Sequence, residues 1–235
     1  MQLPASFIST IRKTFKEDGE KFLAVLPDLI AETSRRWGLT DVQPVSNLSY
    51  NFVAFAKRPS TSPRKTCGSA SPSGTSQDVV LKIGVPNREL TSEIAALKFF
   101  DGNGACQLLE SDAERGLLLL ERLKPGKMLS ELEDDDERTR IAADLISRRG
   151  GVTSPLPPQL IQLSDWFDGL KKLRPHFNGG TGPFPKKLLE QVEASLPELF
   201  ADVPMLLHGD FHHFNILSSE RGWLVIDPKG VIGPV

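Results

Sequence analysis

Near its C-terminus the chain carries three short apolar runs separated by polar breaks: Met205-Leu-Leu207, Ile216-Leu-Ser218 and Trp223-Leu-Val-Ile226. Such runs are too short for helices, and Ser219-Glu-Arg-Gly222 between the last two supplies the turn of an antiparallel hairpin. The hairpin constrains more than its own strands. Asn215 precedes the first strand and Asp227 follows the second, so antiparallel pairing sets them side by side. An amide oxygen beside a carboxylate offers hard oxygen ligands suited to Mg2+. Asp210 lies five residues before Asn215, inside His208-Gly-Asp-Phe-His-His-Phe-Asn215. This D-x-x-x-x-N spacing is that of a kinase catalytic loop, where the Asp receives the acceptor's hydroxyl proton and the Asn holds a metal. Asp210 is therefore the candidate catalytic residue, with Asn215 and Asp227 the candidate metal ligands.

Each of these residues alone has an ordinary use: Asp after Gly forms turns, and Asn before a strand caps it. Only their joint spacing around one hairpin points to phosphoryl transfer. A zinc site is the rival, because His208 and His212 stand four apart. The apolar strand before them and the hairpin after argue for a loop instead, and no Glu completes an H-E-x-x-H pattern.

The next informative residue is Lys82, set in the apolar run Val79-Val-Leu-Lys-Ile83, where an unpaired ammonium is costly to bury. Asn87 then caps a helix from about Arg88 to Phe100, whose buried stripe is Leu90, Ile94 and Leu97. Glu93 borders that stripe and Glu89 does not, so Glu93 is the expected partner of Lys82. In kinases this ion pair aims the lysine at the α- and β-phosphates. Strands are expected at Val42–Val45, Asn51–Lys57, Val79–Val85, Ala105–Glu110 and Gly116–Glu121. The turn Ser46-Asn-Leu-Ser-Tyr50 stands where kinases place a glycine-rich loop but has no glycine; backbone amides and the Ser46 and Ser49 hydroxyls remain as possible phosphate contacts.

The wording LLHGDFHHFNIL, followed by GWLVIDPKGVIG, resembles the aminoglycoside phosphotransferase family, and within it the streptomycin/hydroxyurea resistance kinase branch. The resemblance runs from about Phe15 onward. It implies an α+β, bilobal protein-kinase-like fold with a five-stranded antiparallel N-terminal sheet, one main helix and a mostly helical C-terminal lobe bearing the catalytic hairpin. Residues 1–122 would form the nucleotide lobe and 123–235 the catalytic lobe. It also implies ATP and Mg2+ as cofactors, adenine contacts from the backbone of Glu121 and Leu123 at the hinge, and a hydroxylated small molecule as acceptor, streptomycin-like by family. The family's further helices would follow Ile226-Asp-Pro, so the lobe is expected to be incomplete, and a catalytically inactive nucleotide-binding remnant is the alternative.

Composition narrows the remaining classes. A net charge of -2 gives no electrostatic case for a nucleic-acid partner, and no apolar run reaches membrane-spanning length. Cys67 and Cys106 sit in unrelated contexts, so a reducing cytoplasm is the default. The oligomeric state is not legible. Residues 1–16 are expected to be a peripheral arm, and Glu17–Trp37 a helix that Pro27 kinks. The Ser/Pro-rich stretch of about 58–78 should be a disordered insert. Met128–Arg149, Asp165–Phe177 capped by Ser164, and Pro183–Phe200 read as helices, the last with Leu188, Leu189, Val192, Leu196 and Leu199 inward. Gly150–Gln159 reads as a Pro-rich linker.

Overall fold

The computed structural model describes residues 3–59, 76–147 and 155–234. Its N-terminal lobe is a five-stranded antiparallel sheet of β1 (Thr40–Pro44), β2 (Phe52–Pro59), β3 (Ser76–Ile83), β4 (Leu108–Asp112) and β5 (Leu117–Glu121) in the order β1-β2-β3-β5-β4. Helix α1 (Ala5–Trp37) covers one face and α2 (Arg88–Phe100) the other. The strand period of two explains the division. Val79, Leu81 and Ile83 face α1, and Val80 and Lys82 face α2.

The N-terminal residues are not a peripheral arm. Phe7 and Ile11 are fully buried against β2 and β3, because the chain reverses at Lys16 (φ 52, ψ −123) and folds the first helical segment onto the second. The reversal brings Arg12 within 2.7 Å of Glu20, and at Gly19 a Cβ would stand 2.6 Å from the Ile11 carbonyl oxygen, so no larger residue fits. Pro27, the expected kink, sits within helical geometry; the break falls eleven residues earlier.

Strands β2 and β3 reach further than the sequence suggested, pairing out to Pro59 and Ser76. The edges of the expected insert are thus ladder, and its interior, 60–75, lies outside the described residues. The expected helix from Met128 starts late. Strand β6 (Pro125–Met128) and a 3-10 turn (Leu129–Glu131) come first, and α3 (Asp135–Ser147) begins where the Asp134 carboxylate accepts from the Asp136 and Glu137 amides. Asp135, Asp136 and Glu137 thereby occupy the first turn of α3, where the helix dipole favours negative charge.

Strand β7 (Ile161–Gln162) leads into α4 (Leu163–His176), with Gln162 rather than Ser164 at the cap position. Helix α5 (Lys186–Leu199) follows; only its Leu189 is buried, and Leu188 and Leu199 face solvent. Strand β8 (Met205–Leu207), a 3-10 turn (His213–Asn215), β9 (Ile216–Ser219), β10 (Gly222–Val225) and β11 (Val231–Gly233) complete the lobe. The hairpin β9–β10 forms around the expected turn, with Ser219 opposite Gly222 and Ile216 opposite Val225, and β6 pairs alongside β9. β11 lies parallel to β7 and antiparallel to β8. Among the described residues no helix is long and apolar enough to cross a membrane.

Candidate active site

Lys82 and Glu93 meet in the interior between β3 and α2. The ammonium donates to both Glu93 carboxylate oxygens at 2.7 Å, and both residues are buried. A third group joins them from the other lobe: Asp227 also accepts from Lys82. Burial pushes the Glu93 carboxyl up to about 7, against the pull of the ammonium. The same ammonium holds Asp227 down to about 2. Burial alone would lower Lys82, but two facing carboxylates outweigh it and raise it, so the lysine is charged.

The backbone at Asp227 adopts φ 58, the left-handed region, just past the end of β10. Directly opposite Asn215 stands Ile226, whose N–H donates to the Asn215 carbonyl at 2.9 Å, so Asp227 is one residue beyond the exact pair the hairpin argument gave. Asn215 is buried and its Nδ2 donates to the Asp210 carbonyl at 3.0 Å, tying the two ends of the D-x-x-x-x-N loop together. Its Oδ1 takes no protein donor among the described residues, and the Asp227 carboxylate is 40% exposed. An amide oxygen and a carboxylate left in this way fit a hard divalent cation. Asp210 is itself partly exposed, with His212 Nε2 at 3.6 Å from its Oδ1. His212 was weighed in the sequence only as a zinc ligand; its place beside Asp210 depends on the turn's conformation, which no spacing rule states.

The zinc reading fails on His208. Its Nδ1 accepts from the Asp210 N–H at 3.2 Å and its Nε2 meets the Ile226 carbonyl at 2.9 Å, so both ring nitrogens serve the backbone. The Lys229 N–H donates to the His208 carbonyl at 2.7 Å as well. His208 is thus the strut that joins the Asp210 loop to the segment carrying Asp227.

A cleft of about 480 Å3 opens on Lys82 and Glu93, with Tyr50, Asn51, Arg88 and Lys229 also on its walls. Ser46 is exposed and outside that lining. The two residues on the cleft from this turn region are Tyr50 and its neighbour Asn51. On the hinge side a second groove of about 290 Å3 is lined by Glu121, Leu123 and Arg221, among others. The Glu121 side chain accepts from the Gln107 N–H at 2.7 Å and pairs with Arg221, while among the described residues no backbone carbonyl takes the Leu123 N–H.

The sequence family model for aminoglycoside/hydroxyurea antibiotic resistance kinases matches residues 65–235. The chain belongs to that family. Across 99% of its length this family member is 29% identical to streptomycin 6-kinase of Streptomyces glaucescens and 33% identical to hydroxyurea phosphotransferase of Kitasatospora aureofaciens. It spans 71% of the former and 65% of the latter. Among solved structures, the macrolide 2'-phosphotransferase MphH of Brachybacterium faecium superposes with a TM-score of 0.58 at 15% identity, covering 88% of this chain and 73% of that one. The choline kinase LicA of Streptococcus pneumoniae gives 0.56 at 15% identity, covering 89% and 70%. The chain therefore has the bilobal α+β, protein-kinase-like fold that the resemblance implied.

Proposed function

We propose that this chain is an ATP-dependent O-phosphotransferase acting on a hydroxyl of a small molecule, with a streptomycin-like aminoglycoside as the acceptor class. One observation carries the reading: Lys82 of the N-terminal lobe is shared between Glu93 and Asp227, so the phosphate-binding lysine and the candidate metal-binding acid of the opposite lobe sit at one point. The names of the streptomycin and hydroxyurea kinases support the acceptor class.

In this reading the Lys82 ammonium, oriented by Glu93, receives the phosphates. Asn215 Oδ1 and the Asp227 carboxylate would hold Mg2+, which when bound neutralises phosphate charge. Asp210 orients the acceptor hydroxyl and takes its proton, and its partial exposure leaves it open to that hydroxyl. The Leu123 N–H and the Glu121 backbone at the hinge meet the adenine edge. Positioning and charge neutralisation supply most of the rate in such a reaction. Ser46, exposed on its turn and outside the Lys82 cleft, is assigned no contact in this reading.

A nucleotide-binding chain without turnover is the second reading, favoured by the glycine-free turn Ser46-Asn-Leu-Ser-Tyr50. Purified chain with streptomycin and Mg-ATP separates the two. Asp210→Asn is expected to lower the phosphorylation rate by about 10²- to 10⁴-fold with ATP affinity kept. An unchanged rate would remove Asp210 from the chemistry, and ATP binding with no turnover of any aminoglycoside would favour the second reading.

A further inference from the structure

We propose that Ser92 is a positioning residue that keeps the Asp227 segment in register with α2 while Lys82 and Asp227 turn to their ligands; this rests on the function proposed above. The side chain is wholly buried. Its hydroxyl donates to the Gly230 carbonyl at 2.6 Å and accepts from the Ile161 N–H at 3.0 Å. The Ile161 N–H also reaches the Gly230 carbonyl at 3.1 Å, so hydroxyl, carbonyl and amide close a small ring between the lobes.

A serine inside a helix ordinarily returns its hydroxyl to a carbonyl of the preceding turn. The adjacent Thr91 does this, donating to the Asn87 carbonyl at 3.1 Å. Ser92 instead turns across the interface, on the face of α2 that also carries Ala96. The opposing backbone comes close enough to need glycine: at Gly230 (φ 65) a Cβ would lie 2.5 Å from the Ser92 carbonyl oxygen and 3.0 Å from the Ala96 Cβ.

The reason such a contact matters lies in what each link uses. Glu93 follows Ser92 on α2, and Asp227 precedes Gly230 by three residues. The Glu93–Lys82–Asp227 chain of ion pairs joins the same two segments, but through groups that ligands also require. Once Lys82 faces phosphate and Asp227 faces a cation, that ionic link is divided. The Ser92–Gly230–Ile161 ring involves no group that ligands need, so it persists and fixes where the Asp227 carboxylate stands relative to Lys82.

The test compares Ser92→Ala and Gly230→Ala with Thr91→Ala, which loses a hydroxyl bond internal to the same helix. Calorimetric ATP binding is measured with Mg2+ and with EDTA, and amide exchange is followed in the nucleotide-free protein. Both interface variants are expected to weaken ATP binding in Mg2+ by about tenfold and to leave it within about twofold in EDTA. Exchange at Ile161 and Lys229 should quicken by about tenfold in Ser92→Ala, while Thr91→Ala moves none of these readouts. Equal weakening with and without Mg2+ would show a merely structural role and overturn the assignment, as would unchanged binding in Ser92→Ala. Unmodified chain whose ATP affinity ignores Mg2+ would instead sink the functional reading, and the role of Ser92 with it.

Discussion

The N-terminal sheet and the α4–α5 layer both carry apolar stripes, yet only the first encloses its stripe. Phe7, Ile11, Leu26, Phe52 and Leu81 are fully buried, held between α1 and the sheet. On α4 and α5, Trp166 is 43% exposed and Leu188 56%, and only Leu189 is buried on α5. Apolar periodicity is present in both places, of two along the strands and helical along α1, α4 and α5, so periodicity is not what differs. An amphipathic pattern states which side of a helix is apolar; burial also needs a second layer against that side. Stability should therefore be concentrated in the N-terminal lobe and at the contact between lobes, with α4–α5 among the first segments to open.

The sharpest way to break this comparison is Phe52→Ala, which opens a cavity in a fully enclosed core. It should cost about 3–5 kcal/mol in chemical denaturation. A cost below about 1 kcal/mol would show that the sheet–α1 core is not where the stability resides.

Lys82→Met follows at about 3 kcal/mol, because it leaves the Glu93 carboxylate buried without its ion partner. Its pH dependence has a defined sign. Burial already raises Glu93 to about 7 with the lysine present, and losing the ammonium raises it further. The folded state then binds the proton more tightly than the unfolded one. The deficit should stay nearly level between about pH 5 and 7, where Glu93 titrates against the unfolded chain alike in both proteins, and grow as the pH rises above 7, where only the variant still holds the proton. A deficit that fails to grow between about pH 7 and 9, followed by urea unfolding at several pH values, would contradict the burial of Glu93.

Ile11→Val removes one methylene from the first segment of α1 and should cost about 1 kcal/mol, although a peripheral arm would give nothing. At the small end, Leu188→Ala on the exposed stripe should stay within about 0.5 kcal/mol of the parent. If Leu188→Ala costs as much as Ile11→Val, the two regions do not differ in the way their burial indicates.

How much of this was readable in advance depended on the range of the interaction concerned. The Lys82–Glu93 pair followed from alternation along one strand and angle around one helix, and it forms. The β9–β10 register followed from a short turn between apolar runs. The reversal at Lys16 did not, because nothing in residues 1–16 marks a left-handed backbone at a lysine; it is held by Gly19 and by Phe7 and Ile11 finding the sheet. Likewise Met128 continued a helical pattern locally but was taken as strand by its pairing with Leu217 on β9.

The amino-acid order by itself determined the five strands of the N-terminal sheet in outline, the β9–β10 hairpin, the capped helix after Asn87 and the D-x-x-x-x-N loop, because each depends on neighbours within a few residues. Only the tertiary structure decided that Asp227 would share Lys82 with Glu93, that His208 would brace two segments and that Ser92 would face Gly230. Those contacts join residues 18 to 145 positions apart: the His208 brace needs the C-terminal segments folded together, and the Lys82–Asp227 and Ser92–Gly230 contacts exist only after the two lobes pack.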